Sequence, residues 1–226
     1  MKYNNIYEGK FIERPNRFIA KVEIKGKIET VHVKNTGRCQ EILRPGVLCY
    51  LEKSDNPTRK TQYDLITVEK NNKLINIDSQ VVNKVFGEYL ESGKLFSNIT
   101  LIKPETTFGK SRFDFYVERG KKKIFIEVKG VTLENDNIVS FPDAPTLRGT
   151  KHLNELIKAH KEGYETYVAF VVQMNNVKYF RPHDETDPLF GATLREAKKA
   201  GVKILCLDCV VTKDEIYIEK KVKVRV

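Results

Sequence analysis

Hydrophobic and polar positions follow two different periods along this chain, and the change of period divides it. In the first third, Phe18, Ala20, Val22 and Ile24 alternate with Arg17, Ile19, Lys21 and Glu23, the two-residue repeat of a half-buried strand with Phe18 on the core side. Lys25-Gly26-Lys27 turns that strand into Ile28–Val33. Further turn signals stand at Asn35-Thr36-Gly37, Arg44-Pro45-Gly46, Ser54-Asp55-Asn56-Pro57 and Lys70-Asn71-Asn72-Lys73. Arg38–Leu43 alone reads as helical. Five or so short strands and one short helix predict a small closed barrel of the OB kind over residues 1–78.

Beyond Asp78 the period lengthens. Val81, Val85 and Tyr89 fall at helical spacing within Gln80–Glu91, which Gly93 ends. A second helix is predicted over Arg148–His160, where Leu153, Leu156, Ile157 and His160 form one face and Gly163 is the stop. Thr166–Gln173 is nearly continuously apolar, as for a strand covered on both faces. Asp187-Pro188 supplies an N-cap and a first-turn proline for a third helix, which runs to Gly201 and feeds a strand at Val202. Strand, helix and strand at this spacing imply a parallel crossover. Residues 79–226 therefore read as an α/β domain with a mixed sheet, and no Pro/Gly-rich linker separates it from the barrel.

Two runs between the first two helices carry the candidate chemistry. Arg112–Val117 and Ile124–Lys129 flank a plausible turn at Glu118–Lys123. Phe113, Phe115 and Val117 share one face in a regular strand, as do Ile124, Ile126 and Val128 in the next. Burying both sets pairs Val117 with Ile124, Phe115 with Ile126 and Phe113 with Val128. Asp114 then opposes Glu127, with Lys129 on the same face. Opposed carboxylates repel unless a cation lies between them. Oxygen ligands suit Mg²⁺ or Mn²⁺, with the Val128 carbonyl and Glu88 of the preceding helix as further ligands and Glu105 as a rival to Glu88. Asp114, Glu127 and Lys129 are the candidate catalytic set, an acid followed after about a dozen residues by Glu-x-Lys, the pattern of PD-(D/E)xK nucleases. The alternative is a surface hairpin whose two acids are partnered by Arg112 and Lys129.

Charge sharpens this reading. Forty basic residues against thirty acidic ones give a net charge of +10. The excess is shared, residues 1–78 holding 15 basic and 10 acidic residues and the remainder 25 and 20. A folded polycation favours a polyanionic partner through counterion release. Candidate nucleic-acid contacts are Arg14, Arg17, Arg38, Arg59 and Lys60 in the first domain. In the second they are Arg112, and Arg148, Lys151 and His152 at a helix start. The four cysteines do not form a secreted framework. Cys206 and Cys209, three apart on a strand, point to opposite faces and do not easily chelate one ion together, and no second C-x-x-C completes a zinc site. His183-Asp184-Glu185 precedes a capped helix and reads as loop. No apolar run reaches membrane-spanning length and no secretory signal is visible at Met1, so a cytoplasmic protein is expected.

Several spaced phrases together resemble the sugar fermentation stimulation protein A family. They include Arg14-Pro-Asn-Arg-Phe18, Val31-His-Val-Lys-Asn-Thr-Gly-Arg38, Arg59-Lys-Thr-Gln-Tyr-Asp64 and Gly109-Lys-Ser-Arg-Phe-Asp-Phe115. Glu127-Val-Lys-Gly-Val-Thr-Leu133, Phe141-Pro-Asp-Ala144 and Arg148-Gly-Thr-Lys-His-Leu153 extend the likeness over nearly the whole chain. Lys34 stands where the family pattern has proline, and Pro145-Thr-Leu147 also departs from it. The resemblance implies an N-terminal OB-like β-barrel, a PD-(D/E)xK nuclease-like mixed-sheet α/β domain, and non-specific DNA binding. It also implies a regulatory effect on sugar (maltose) utilisation genes. Two functions are therefore expected of the chain: Mg-dependent phosphodiester hydrolysis, or a non-catalytic DNA-binding regulator. RNA is a third possible substrate.

Overall fold

The computed structural model describes all residues, Met1–Val226. Strands β1 (Ile6–Asn16), β2 (Ile19–Ile24), β3 (Lys27–Val33), β4 (Leu48–Lys53), β5 (Tyr63–Lys70) and β6 (Lys73–Asn76) form the first sheet. Their order is β3-β2-β1-β4-β5-β6, and a short parallel pairing of β3 with β5 closes β1–β5 into a barrel. The predicted alternation is met at Ala20, Val22 and Ile24, all buried. Two expectations fail. Phe18 is 50% exposed rather than in the core. It follows a turn in which the Asn16 side chain accepts hydrogen bonds from the backbone N–H groups of Phe18 and Ile19, so the strand begins only at Ile19. Arg38–Leu43 forms turns instead of a helix, because Cys39 adopts a left-handed backbone (φ +48°) that no α-helix accommodates.

The second domain comprises α1 (Val82–Glu91), β7 (Ile99–Phe108), β8 (Ser111–Arg119), β9 (Lys122–Val131), β10 (Glu134–Asn135), β11 (Ile138–Phe141) and α2 (Leu147–Lys161). It continues through β12 (Glu165–Val172), β13 (Tyr179–Pro182), α3 (Pro188–Lys199), β14 (Lys203–Val211), β15 (Ile216–Lys221) and β16 (Lys223–Val224). The main sheet runs β15-β14-β12-β9-β8-β7, with β9, β12 and β14 parallel and the rest antiparallel. A small sheet, β10-β11-β13-β16, lies beside it. Asp187 caps α3 by accepting from Phe190 N–H, and β12 and β14 pair in parallel around that helix.

One face of the main sheet packs on α1 and the other on α2 and α3, and the apolar layer on the α2 side is continuous with the barrel core. Cys206 and Cys209 fall in opposite layers, both buried and unbridged. Polar groups also join the domains. Gln173 donates from Nε2 to the Asn76 side chain and the Asp78 carbonyl, both at 2.9 Å. Lys34 lies between the buried carboxylates of Asp64 (3.0 Å) and Asp78 (3.5 Å). No helix is long and apolar enough to cross a membrane.

Candidate active site

The hairpin of β8 and β9 pairs Val117 with Ile124 and Phe115 with Ile126, the register that burial of both apolar sets requires. The ladder then stops. Phe113 does not pair with Val128 but turns to the α2 side, its ring 5.2 Å from that of Phe125, while Phe115 packs on Phe86 of α1 at 5.6 Å. Alternation is therefore broken at Asp114. Glu105, which lies on β7 between the residues paired with Phe115 and Phe113, has φ +51°, a conformation L-residues avoid. Distortions of this kind re-aim side chains near active sites.

Released from the ladder, Asp114 takes its place. Its Oδ2 accepts the Val128 backbone N–H at 2.7 Å and its Oδ1 accepts from Asn83 Nδ2 of α1 at 2.8 Å. Burial pushes the Asp114 pKa up, the nearby Glu127 charge adds to the rise, and these two hydrogen bonds and Lys129 oppose it. Glu127 is 3% exposed. Its Oε1 receives Lys129 Nζ at 2.6 Å and also contacts His152 Nδ1 of α2. Burial works against its charge, but the His152 hydrogen bond and the Lys129 charge overcome it, so its pKa falls below the usual carboxylate range. The other oxygen, Oε2, is buried without any partner. A naked carboxylate oxygen in the interior is costly, and a cation is the ligand that would satisfy it.

The expected ligand set is only partly assembled. Glu88, though on α1, holds the N-terminal ammonium of Met1 at 2.7 Å, and the α1 side chain that reaches Asp114 is Asn83. Glu105 is exposed and faces Arg112 at 3.5 Å. Nowhere do three or more His, Cys, Asp or Glu side chains converge as a metal-binding group. What the site offers is two carboxylates, with room in their lone pairs for one ion that keeps most of its waters. That donor set fits a Mg²⁺-like cation.

The nucleic-acid candidates divide by what their charges already touch. Arg14 is a clamp: its guanidinium donates to the carbonyls of Arg17, Asn35, Gly37 and Arg38. Arg59 grips Asp64 with two hydrogen bonds, and His152 points inward to Glu127. These three are structural or site-supporting groups, because a charge already paired is not free for phosphate. Arg17, Arg38, Lys60, Arg112, Arg148 and Lys151 are exposed, Arg112 beside the equally exposed Glu105, Lys151 donating to the Lys110 carbonyl and Arg148 standing at the α2 start, where Thr146 is the N-cap. Asn83 left no mark in the sequence. His152 did, since it shares a buried face with Leu156 and Ala159 at i+4 and i+7.

An OB barrel joined to a mixed-sheet α/β domain with an acid-and-lysine site at the hairpin defines the class. Residues 12–77 match the model of the SfsA N-terminal OB domain, and residues 80–215 match that of the sugar fermentation stimulation protein RE domain. The chain belongs to the sugar fermentation stimulation protein family. It is 59% identical over 224 residues to the homolog of Clostridium beijerinckii, covering 99% of both chains. It is 60% identical over 216 residues to that of Desulfitobacterium hafniense, covering 96% of this chain and 94% of the relative. Among solved structures, SfsA of Pyrococcus furiosus, in complex with Ca²⁺, superposes with a TM-score of 0.91 at 32% identity, covering 100% of this chain and 98% of the other.

Proposed function

We propose that this protein binds DNA without sequence preference and hydrolyses phosphodiester bonds at a PD-(D/E)xK-type site that takes Mg²⁺ or Mn²⁺. The observation that carries the reading is the buried, unpartnered Oε2 of Glu127 beside Asp114 and Lys129. Asp114 and Glu127 would hold the ion. Bound there, a divalent cation supplies charge neutralisation at phosphate and a more acidic water. Lys129, its ammonium fixed by Glu127, stands where negative charge on a phosphate would develop. Asp114 is fixed on both oxygens by Asn83 and Val128, so its geometry is set before an ion arrives. A family relative whose structure is described in complex with Ca²⁺ supports divalent binding by this fold, and the net charge of +10 supports a polyanionic substrate.

A second reading, a non-catalytic DNA-binding regulator of sugar-utilisation genes, draws support from Glu127 Oε1, already held by Lys129 and His152. Calorimetric titration with Mn²⁺ and Ca²⁺, followed by incubation with plasmid, single-stranded DNA and RNA with Mg²⁺ or chelator, separates the two. Cation uptake and cleavage abolished by Asp114→Asn and by Lys129→Ala establish the enzyme. Salt-sensitive binding without cleavage leaves the regulator. Affinity indifferent to salt removes both.

A further inference from the structure

We infer that an unpaired DNA strand reaches the candidate site through a cleft between the two domains, with Phe18 as its stacking platform. The inference deepens the DNA-binding reading above and rests on it. Three loops meet at this edge. The Arg14 clamp ties the β1–β2 turn to the Asn35–Arg38 loop, and Arg38 N–H donates to Asp143 Oδ2 of the second domain at 3.1 Å. Gly37 allows the approach: a Cβ there would sit 2.3 Å from Asp143 Oδ2. Arg14 is thus the fastening, and its neighbours Arg17 and Arg38 are left displayed.

The outer part of the path is a cavity of about 300 Å³ on the barrel itself, whose lining includes Arg14, Arg17 and Arg38 and no acidic residue. Phe18 is presented beside it by the Asn16 turn, with the Arg17 guanidinium 5.4 Å from its ring. An exposed aromatic ring paired with arginine is the arrangement that stacks nucleobases while holding the phosphate alongside. Thr36 and Gly37 line this cavity and also a second one of about 140 Å³. The second is polar and reaches Gly130, the residue after Lys129. There the amide oxygen of buried Gln173, whose own N–H groups are taken by Asn76 and Asp78, overhangs Gly130. No side-chain or backbone group donates to this acceptor, which suits an N–H of a base. At about 140 Å³, below the roughly 300–1,000 Å³ of sites for drug-sized ligands, the inner cavity has room for a single base or sugar at most and excludes a duplex. The outer cavity is cationic, and the one carboxylate lining the inner cavity, Asp143, already accepts the Arg38 N–H.

The test uses fluorescence anisotropy of a labelled dT oligonucleotide and of a duplex of equal length, in chelator at low salt. Phe18→Ala is expected to weaken single-strand binding by about 5- to 150-fold, the value of one stacked base, while leaving duplex binding within about twofold. Phe18→Tyr restores the platform. Thr36→Glu, a negative charge where the two cavities meet, is expected to weaken single-strand binding about tenfold or more. Both positions are solvent-facing, and thermal unfolding checks that the variants fold. If the wild type binds neither DNA, the function proposed above fails. If it binds DNA but both variants match it, or lose duplex and single strand equally, the strand path is overturned.

Discussion

Replacing His152 by phenylalanine tests how the buried carboxylate of the site is held. The imidazole is 6% exposed, its Nδ1 is on Glu127 Oε1, and its ring lies edge-on to Phe113 at 6.5 Å, so a phenyl group fills the space without supplying the donor. Glu127 would keep Lys129 on Oε1 and nothing on Oε2. A hydrogen bond to a charged group contributes roughly 1.5–3 kcal/mol. Removing Lys129 as well would strand the charge, at about 3–5 kcal/mol. His152→Phe should therefore cost about 1.5–3 kcal/mol, which for a chain of this size lowers Tm by about 3–12 °C. Adding Glu127→Gln should recover about 1 kcal/mol or more, because a neutral amide needs no counter-charge. Thermal unfolding of the four proteins of the cycle in chelator reads this directly. If His152→Phe lies within about 0.5 kcal/mol of wild type, or if the two substitutions simply add, the carboxylate is not held by the imidazole and the account of its lowered pKa is wrong.

Arg14→Met leaves four carbonyls without their shared donor and should cost about 2 kcal/mol or more, whereas Arg17→Met should leave Tm unchanged and weaken DNA binding; equal Tm for both would refute the clamp. Asp114→Asn should stabilise the fold near neutral pH while abolishing Mn²⁺ uptake, Asn83 being free to flip its amide. Because burial raises the folded pKa of Asp114, the ionised-state penalty is present above that pKa and vanishes below the unfolded value of about 3.9. The stability gap between the two proteins should therefore close as pH falls. Burial acts to raise the pKa of Glu165, but hydrogen bonds from Lys203 and Tyr167 outweigh it and hold the value to about 2. That is below the unfolded value of about 4.3, so its pairing stabilises the fold above that pH and is lost as pH falls toward 2. Lys203→Met should thus destabilise at pH 7 and progressively less in acid, and a gap that does not change with pH would contradict this.

Much of this was legible in the sequence because burial imposes parity. Phe115, Val117, Ile124 and Ile126 could satisfy one another in one register only, and they do. The helix stops at Gly93, Gly163 and Gly201 and the Asp187-Pro188 start were readable because each has a local backbone cause. Phe18 and Phe113 misled for the opposite reason. Both sit where a strand ends or breaks, and the alternation rule says nothing about where it stops applying. Likewise an arginine held by four carbonyls and one facing water, Arg14 and Arg17, are the same letter. Only tertiary placement of Asn35, Gly37 and Arg38 distinguishes them.

The break at Asp114 ties these observations together. Had β8 continued in regular alternation, Phe113 would have lain with Phe115 against α1 and a backbone carbonyl would have taken the Val128 N–H. Instead Phe113 supports His152 from the α2 side, and the carboxylate of Asp114 takes that N–H next to Glu127. The cost is visible in Glu105, held at φ +51°, in the raised Asp114 pKa and in the partnerless Glu127 Oε2. These are three unfavourable features on three adjacent strands, each of a kind whose relief is a common route to greater stability. The ion proposed above would relieve two of the three at once.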